Sequence, residues 1–366
     1  MQAATGEHAP GAGPGTDHRN DFDALRLAAA VAVIVSHAFL LTTGTEDGEP
    51  LKRLTQGQCS AGVAGVFMFF IISGYLVSDS LARTGSVPRF LAKRLLRIYP
   101  GLAVCLVLLA LLLGPALTVL APSAYFAEAG TWRFIAANLA MNTDINGLPG
   151  LRFTGFDFGT VVNGPLWSLP AELAMYLMVA ALGAVRLMRL PVLVFLLAVG
   201  LACLGCDTAR SDLLIGTIGW LLPFFAAGMI GWRLDIRRWL RADIALAALL
   251  GLVAAARFGG FIPLFPILGG YLTLYLAFCR RAPALPAALP GDLSYGLYIY
   301  GWPVEQSLLR LAGLMPWWQL AALALPASAL IAWLSWHLVE RPALRLKPAA
   351  RAAAPSNPLD AALPAR

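Results

Sequence analysis

The chain has 366 residues, of which 59% are hydrophobic and 13% charged, and its mean hydropathy is +0.72. A water-soluble domain does not reach these values, so the sequence reads as an all-α, polytopic integral membrane protein. The net charge of +7 suits a membrane whose inner leaflet is anionic, and nucleic-acid binding is not needed to explain it.

Residues 1–19 are polar and lack the basic-then-apolar pattern and small-residue cleavage site of a secretory signal, so the first span is expected to stay in the mature protein. They read as a disordered N-terminal segment, 20–347 as one membrane domain, and 348–366 as a disordered tail. A helix needs about 20 apolar residues to cross roughly 30 Å of hydrocarbon. Ten segments come close to this: 22–43, 61–82, 98–120, 165–185, 190–206, 213–232, 242–258, 261–279, 292–313 and 317–339. The long polar interval at 121–164 is expected outside, where it would shape or cover a binding site. With the N-terminus in the cytoplasm, only Lys52, Arg53, Arg133, Arg152, Arg210, Arg257 and Arg310 of the 27 basic residues fall outside. That bias favours ten spans with both termini cytoplasmic.

Cys59, Cys105, Cys203, Cys206 and Cys279 are scattered, without a second paired spacing or a nearby histidine, and read as small buried hydrophobes; no metal is expected. No internal repeat is evident, which weakens an inverted-repeat transporter.

The chemistry begins in the first span, "FDALRLAAAVAVIVSHAFLL". Arg26 and His37 are eleven positions apart, which returns them to within about 20° of one helix face and roughly 16 Å apart along the axis. Arg26 reads as a topology-fixing, snorkelling cation or as a ligand group. His37 lies near mid-membrane, where a polar ring is costly unless it faces the protein interior or a wet cavity. In "VVNGPLWSLPAELAMYL" (161–177), Glu172 falls at a matching depth, so it reads either as the partner of His37 or as a group that neutralises another buried charge or stays protonated in an interhelical contact. In "PRFLAKRLLRIYP" (88–100), Arg89, Lys93 and Arg97 stack on one helix face beside Arg94. The run either fixes topology or holds a polyphosphate such as that of an acyl-coenzyme A, for which arginine supplies bidentate donors.

These stretches resemble the acyltransferase-3 family of membrane acyltransferases, which modify bacterial envelope carbohydrates and antibiotics. The resemblance rests on "FDALRLAAAVAVIVSH", "VFMFFIISGYLV" (66–77), "RFLAKRLLRIYP" (89–100), "LWSLPAEL" (166–173), "LSYGLYIYGWPV" (293–304) and "LVERP" (338–342), six fragments in family order. It implies a ten-helix core in the bacterial inner membrane, an acyl-CoA donor, acetyl-CoA first, taken from the cytoplasm, and a carbohydrate or glycolipid acceptor reached from outside. It also implies essential roles for His37, Arg26, Arg94, Arg97 and Glu172. Lys93 joins the expected donor-binding group, and Asp23, Ser73, Asn163 and Trp167, polar or aromatic positions within the quoted stretches, are the expected substrate contacts. Many members carry a histidine where this chain has Gly301, so no role resting on that histidine transfers. His337 reads as structural, and Glu305 as an intramembrane acid without an assignment. The expected reaction is acyl transfer to a hydroxyl with His37 as base and Glu172 as its orienting partner, direct or through an acyl-histidine. The rival is a proton-coupled transporter or flippase of a polysaccharide precursor, for which the same pair would relay protons.

Overall fold

The computed structural model describes residues 21–205, 214–278 and 292–346, and among these residues there is no strand. The two expected disordered segments, Cys206 and Cys279 lie outside the described residues. The helices run in the order α1 Phe22–Thr43, α2 Pro50–Leu54, α3 Ala61–Thr84, α4 Val87–Leu108, α5 Gly114–Leu117, α6 Pro122–Ala127, α7 Ala129–Leu139 and α8 Leu169–Ala184. They continue as α9 Leu190–Leu204, α10 Leu214–Arg233, α11 Ala242–Phe258, α12 Phe261–Leu264, α13 Leu268–Phe278, α14 Ser294–Ala312, α15 Trp317–Ser335 and α16 Arg341–Arg345. Six stretches are long and apolar enough to cross a membrane: Phe22–Thr43, Ala61–Thr84, Val87–Leu117, Gly164–Ala184, Leu214–Arg233 and Trp317–Arg345. α9 and α13 are apolar but shorter.

Local chemistry sets the ends of these helices. α1 stops at Gly44, whose φ of 80° is left-handed, and its N–H closes on the Leu40 carbonyl. α3 starts at Ser60, whose hydroxyl accepts from the Val63 N–H, and stops at Gly85 with φ 60°. Two boundaries differ from those expected. The third span begins at Val87 with Pro88 in its first turn, so the basic run lies within the helix rather than ahead of it. Segment 261–279 is interrupted at Phe265–Ile267, where Pro266 cannot donate a helical hydrogen bond.

Close backbone approach holds the centre. A Cβ added at Gly74 of α3 would lie 2.0 Å from the Phe225 carbonyl oxygen of α10, and one at Gly228 of α10 would lie 2.0 Å from the Ile71 oxygen of α3. Small residues on both faces let two helices touch where lipid offers no hydrophobic drive. Phe67 stacks on Phe224 beside this crossing, with ring centroids 3.7 Å apart. α14, rich in Tyr, Trp and polar groups, is buried along most of its length between α1, α15 and α4, which is why it can be less apolar than a lipid-facing helix. The N–H of Asp21, just ahead of α1, donates to the Ala277 carbonyl, so the beginning of α1 and the end of α13 lie together.

Candidate active site

At the end of the bundle where α1 begins, three helices bring charge together. Asp292, just ahead of α14, takes ion pairs from both Arg26 of α1 and Arg97 of α4, and also accepts from the Ser294 hydroxyl. Arg97 reaches a second carboxylate, Glu340, at 3.2 Å, and the Ser335 hydroxyl donates to the other Glu340 oxygen at 3.0 Å. The Arg97 guanidinium also sits over the rings of Tyr295 and Trp336. Two cations therefore share two carboxylates, Glu340 buried and Asp292 partly so, an arrangement that satisfies charge inside a low-dielectric bundle.

Arg94 differs. It lies one helical turn from Arg97, over the rings of Phe90 and Tyr176, and its buried Nε has no hydrogen-bond partner. Among the described residues it makes no ion pair within 4.0 Å. With Arg26 and Arg97 it lines a cavity whose wall also includes Ser73, Glu172, Tyr176 and Tyr298. Tyr176 donates to the Glu172 carboxylate and is hydrogen-bonded to Ser73. Tyr298, the cavity-lining residue farthest along α14, and Ser168, just ahead of α8, have oxygens 2.6 Å apart. Lys93 points elsewhere, to the Thr84 hydroxyl at 3.3 Å. Asp23 is exposed in the first turn of α1, near the Arg26–Asp292–Arg97 group.

A second polar group lies toward the other end. His37 is six residues from the end of α1, and its Nδ1 is 3.8 Å from a carboxylate oxygen of Glu305, whose side chain is wholly buried. The imidazole meets the Trp302 ring edge-on, at 4.9 Å between centroids, and Trp302 is held in turn by its Nε1–H donating to the Val161 carbonyl at 3.0 Å. Gln306 reaches the Phe158 and Val161 carbonyls, and Asn163 donates to the Ile299 carbonyl at 2.8 Å. The last part of the 121–164 interval is thereby fastened along α14. His37 Nδ1, both Glu305 oxygens, Gln306 Oε1 and Asn163 Oδ1 are all buried without hydrogen-bond partners. Such groups are costly and cluster at sites of function.

Comparison with known proteins adds the chemistry. The family pattern described as "Acyltransferase domain" matches residues 19–337. This chain belongs to the acyltransferase-3 family. It is 30% identical over 338 residues to a protein named O-acetyl transferase of Shigella phage Sf6, spanning 88% of this chain and 95% of that one. It is also 30% identical over 362 residues to one named Nodulation protein 10 of Rhizobium leguminosarum bv. viciae, spanning 90% of this chain and 94% of the relative. No solved structure matches it.

Within this acyltransferase the expected residues divide into two groups. Arg26, Arg94, Arg97, Glu172 and Ser73 come together at one cavity, and His37 is not among the residues lining it. The carboxylate beside His37 is Glu305, not Glu172, because matching depth says nothing about which helix faces which, and Glu172 turns toward Tyr176. Asn163 is not among the cavity-lining residues and is bonded to the Ile299 carbonyl of α14, whereas Trp167 packs against Trp220 and is over one-third exposed. His337 bonds the Trp333 carbonyl of its own helix. Asp292 and Glu340 were missed as site residues although each stands in or beside a family fragment, "LSYGLYIYGWPV" and "LVERP"; an acid among arginine-bearing spans was the available signal. Gly301 explains itself sterically, since a Cβ there would come 2.8 Å from Ile34 Cγ1. Among the described residues no group of three or more His, Cys, Asp or Glu side chains forms a metal-binding cluster.

Proposed function

We propose that this chain is a ten-span O-acyltransferase of the bacterial inner membrane, with both termini cytoplasmic. It moves an acyl group, acetyl first, from cytoplasmic acyl-CoA to a hydroxyl of an envelope or extracellular carbohydrate or glycolipid. One observation carries the reading: α1 bears an arginine at a cation-lined cavity and, about 16 Å along the same helix, a half-buried histidine. Donor and acceptor ends of a transfer across the bilayer need that separation.

The donor end rests on Arg94, which among the described residues has no carboxylate within 4.0 Å, whereas Arg26 and Arg97 at the same cavity are held by Asp292 and Glu340. The relatives are O-acetyl transferase by name in one case, which favours acetyl as the group moved. His37 takes the proton of the acceptor hydroxyl, the oxygen attacks the thioester carbonyl, the carbon–sulfur bond breaks, and the imidazolium returns the proton to the leaving thiolate. The ten apolar segments of the sequence support ten passes, and the bias of its basic residues supports cytoplasmic termini.

The test is purified protein in liposomes given labelled acetyl-CoA and envelope carbohydrate. Label is expected in an ester on the carbohydrate, and His37→Ala is expected to abolish it while the protein stays folded. Movement of carbohydrate across the bilayer without ester formation would replace this reading by the carrier.

A further inference from the structure

We infer that Glu305 is the positioning residue for His37: its carboxylate faces Nδ1 of the imidazole and leaves the other ring nitrogen for the acceptor hydroxyl. The inference rests on the reading of His37 as the base and adds the group that makes it one.

Glu305 has no exposed side-chain surface, and neither of its oxygens has a hydrogen-bond partner. His37 Nδ1 is also buried and unpartnered, and the two face each other at 3.8 Å. A carboxylate in this environment is costly unless it is paired. At 3.8 Å the contact is not a hydrogen bond, but a shift of under about 1 Å closes it, and such contacts are often long before substrate binds. The side chain of His37 keeps 16% exposure, and since Nδ1 is buried, the accessible edge lies elsewhere on the ring.

Geometry fixes the arrangement from two sides. Trp302, one turn before Glu305 on α14, packs edge-on against the imidazole and is tied to the Val161 carbonyl, so the ring cannot turn freely. Among the described residues no other carboxylate oxygen comes within 4.0 Å of a His37 ring nitrogen. A hydrogen on Nδ1 directed at Glu305 leaves the second nitrogen with its lone pair free, the tautomer that general-base chemistry needs. When the hydroxyl proton arrives, the buried negative charge stabilises the imidazolium; no proton need pass to Glu305.

Glu305→Gln, Glu305→Asp, His37→Ala and the Glu305→Gln/His37→Ala double variant are compared in liposomes with acetyl-CoA and the carbohydrate acceptor. For Glu305→Gln we expect kcat lowered roughly 10–100-fold with the KM for acetyl-CoA unchanged, and partial recovery in Glu305→Asp. In the double variant the glutamine is expected to add no further loss. In wild-type protein labelled with nitrogen-15 histidine, the His37 signals, assigned by their absence in His37→Ala, are expected to show the proton on Nδ1; this readout stands even where Glu305→Gln fails to fold. Full kcat in folded Glu305→Gln, or a proton on the opposite nitrogen, overturns the inference and leaves the proposed function intact. Transfer surviving His37→Ala overturns the base assignment itself.

Discussion

Ser168 and Tyr298 join α8's lead-in turn to α14 through oxygens 2.6 Å apart, between the cation-lined cavity and the Trp302–His37 contact. Phe69 of α3 packs edge-on to the same tyrosine. In the proposed function, a thioester delivered from the cavity to His37 would pass this contact. Tyr298→Phe leaves the Ser168 hydroxyl unpaired and is expected to lower stability by about 1 kcal/mol. It is also expected to raise hydrolysis of acyl-CoA when no acceptor is present, measured as free thiol released.

Arg94 and Arg97 should part company under mutation. Arg94→Gln is expected to weaken coenzyme A binding by about 1.5–3 kcal/mol per lost charged hydrogen bond, without changing the melting temperature. Lysine there should recover only part of the affinity, and added salt should lower the wild-type value. Arg97→Gln strands Glu340 and leaves Asp292 with Arg26 alone, so its main effect is expected on stability, about 3–5 kcal/mol. Titration calorimetry and thermal melts in detergent separate the two; equal binding losses with equal melts would remove the distinction.

Glu172 is expected to act on the donor. Because it faces a cavity proposed to hold an anion, Glu172→Gln removes a repelling charge and should lower the KM for acyl-CoA. Steady-state kinetics checks this; a fall in kcat at unchanged KM would return Glu172 to the imidazole.

Gly301 cannot be exchanged for histidine by itself. Ile34, 1% exposed, occupies the space a side chain would need, so Gly301→His is expected to cost about 1–3 kcal/mol of stability. Adding Ile34→Ala should recover part of the loss in the same thermal assay.

The sequence made some of this arrangement legible and hid the rest. Arg26 and His37 were placed on one helix face by periodicity alone, and the arginine-rich face of α4 by its spacing, because a helix's own geometry determines both. Depth was less reliable. His37 lies about 9 Å from the far end of α1 and about 7 Å past its midpoint, yet Glu172 shares neither its neighbours nor its cavity wall. Which acid meets which base depends on how α8 and α14 pack around α1, and packing is a relation between segments far apart in sequence. Asp292, Glu340 and Glu305 carried no internal periodicity to mark them, so only the folded bundle reveals their partners.

The Arg97 ion pairs span 195 residues to Asp292 and 243 to Glu340. During synthesis the fourth helix thus enters the membrane with its buried cation uncompensated, and both counter-charges emerge from the ribosome only after most of the protein has been made. Biogenesis has to shelter that arginine through the insertion of the intervening helices, and a chain released before its last span would hold Arg97 without Glu340. Completion of this ion-pair cluster is therefore a late event that reports on whether the whole polypeptide has assembled.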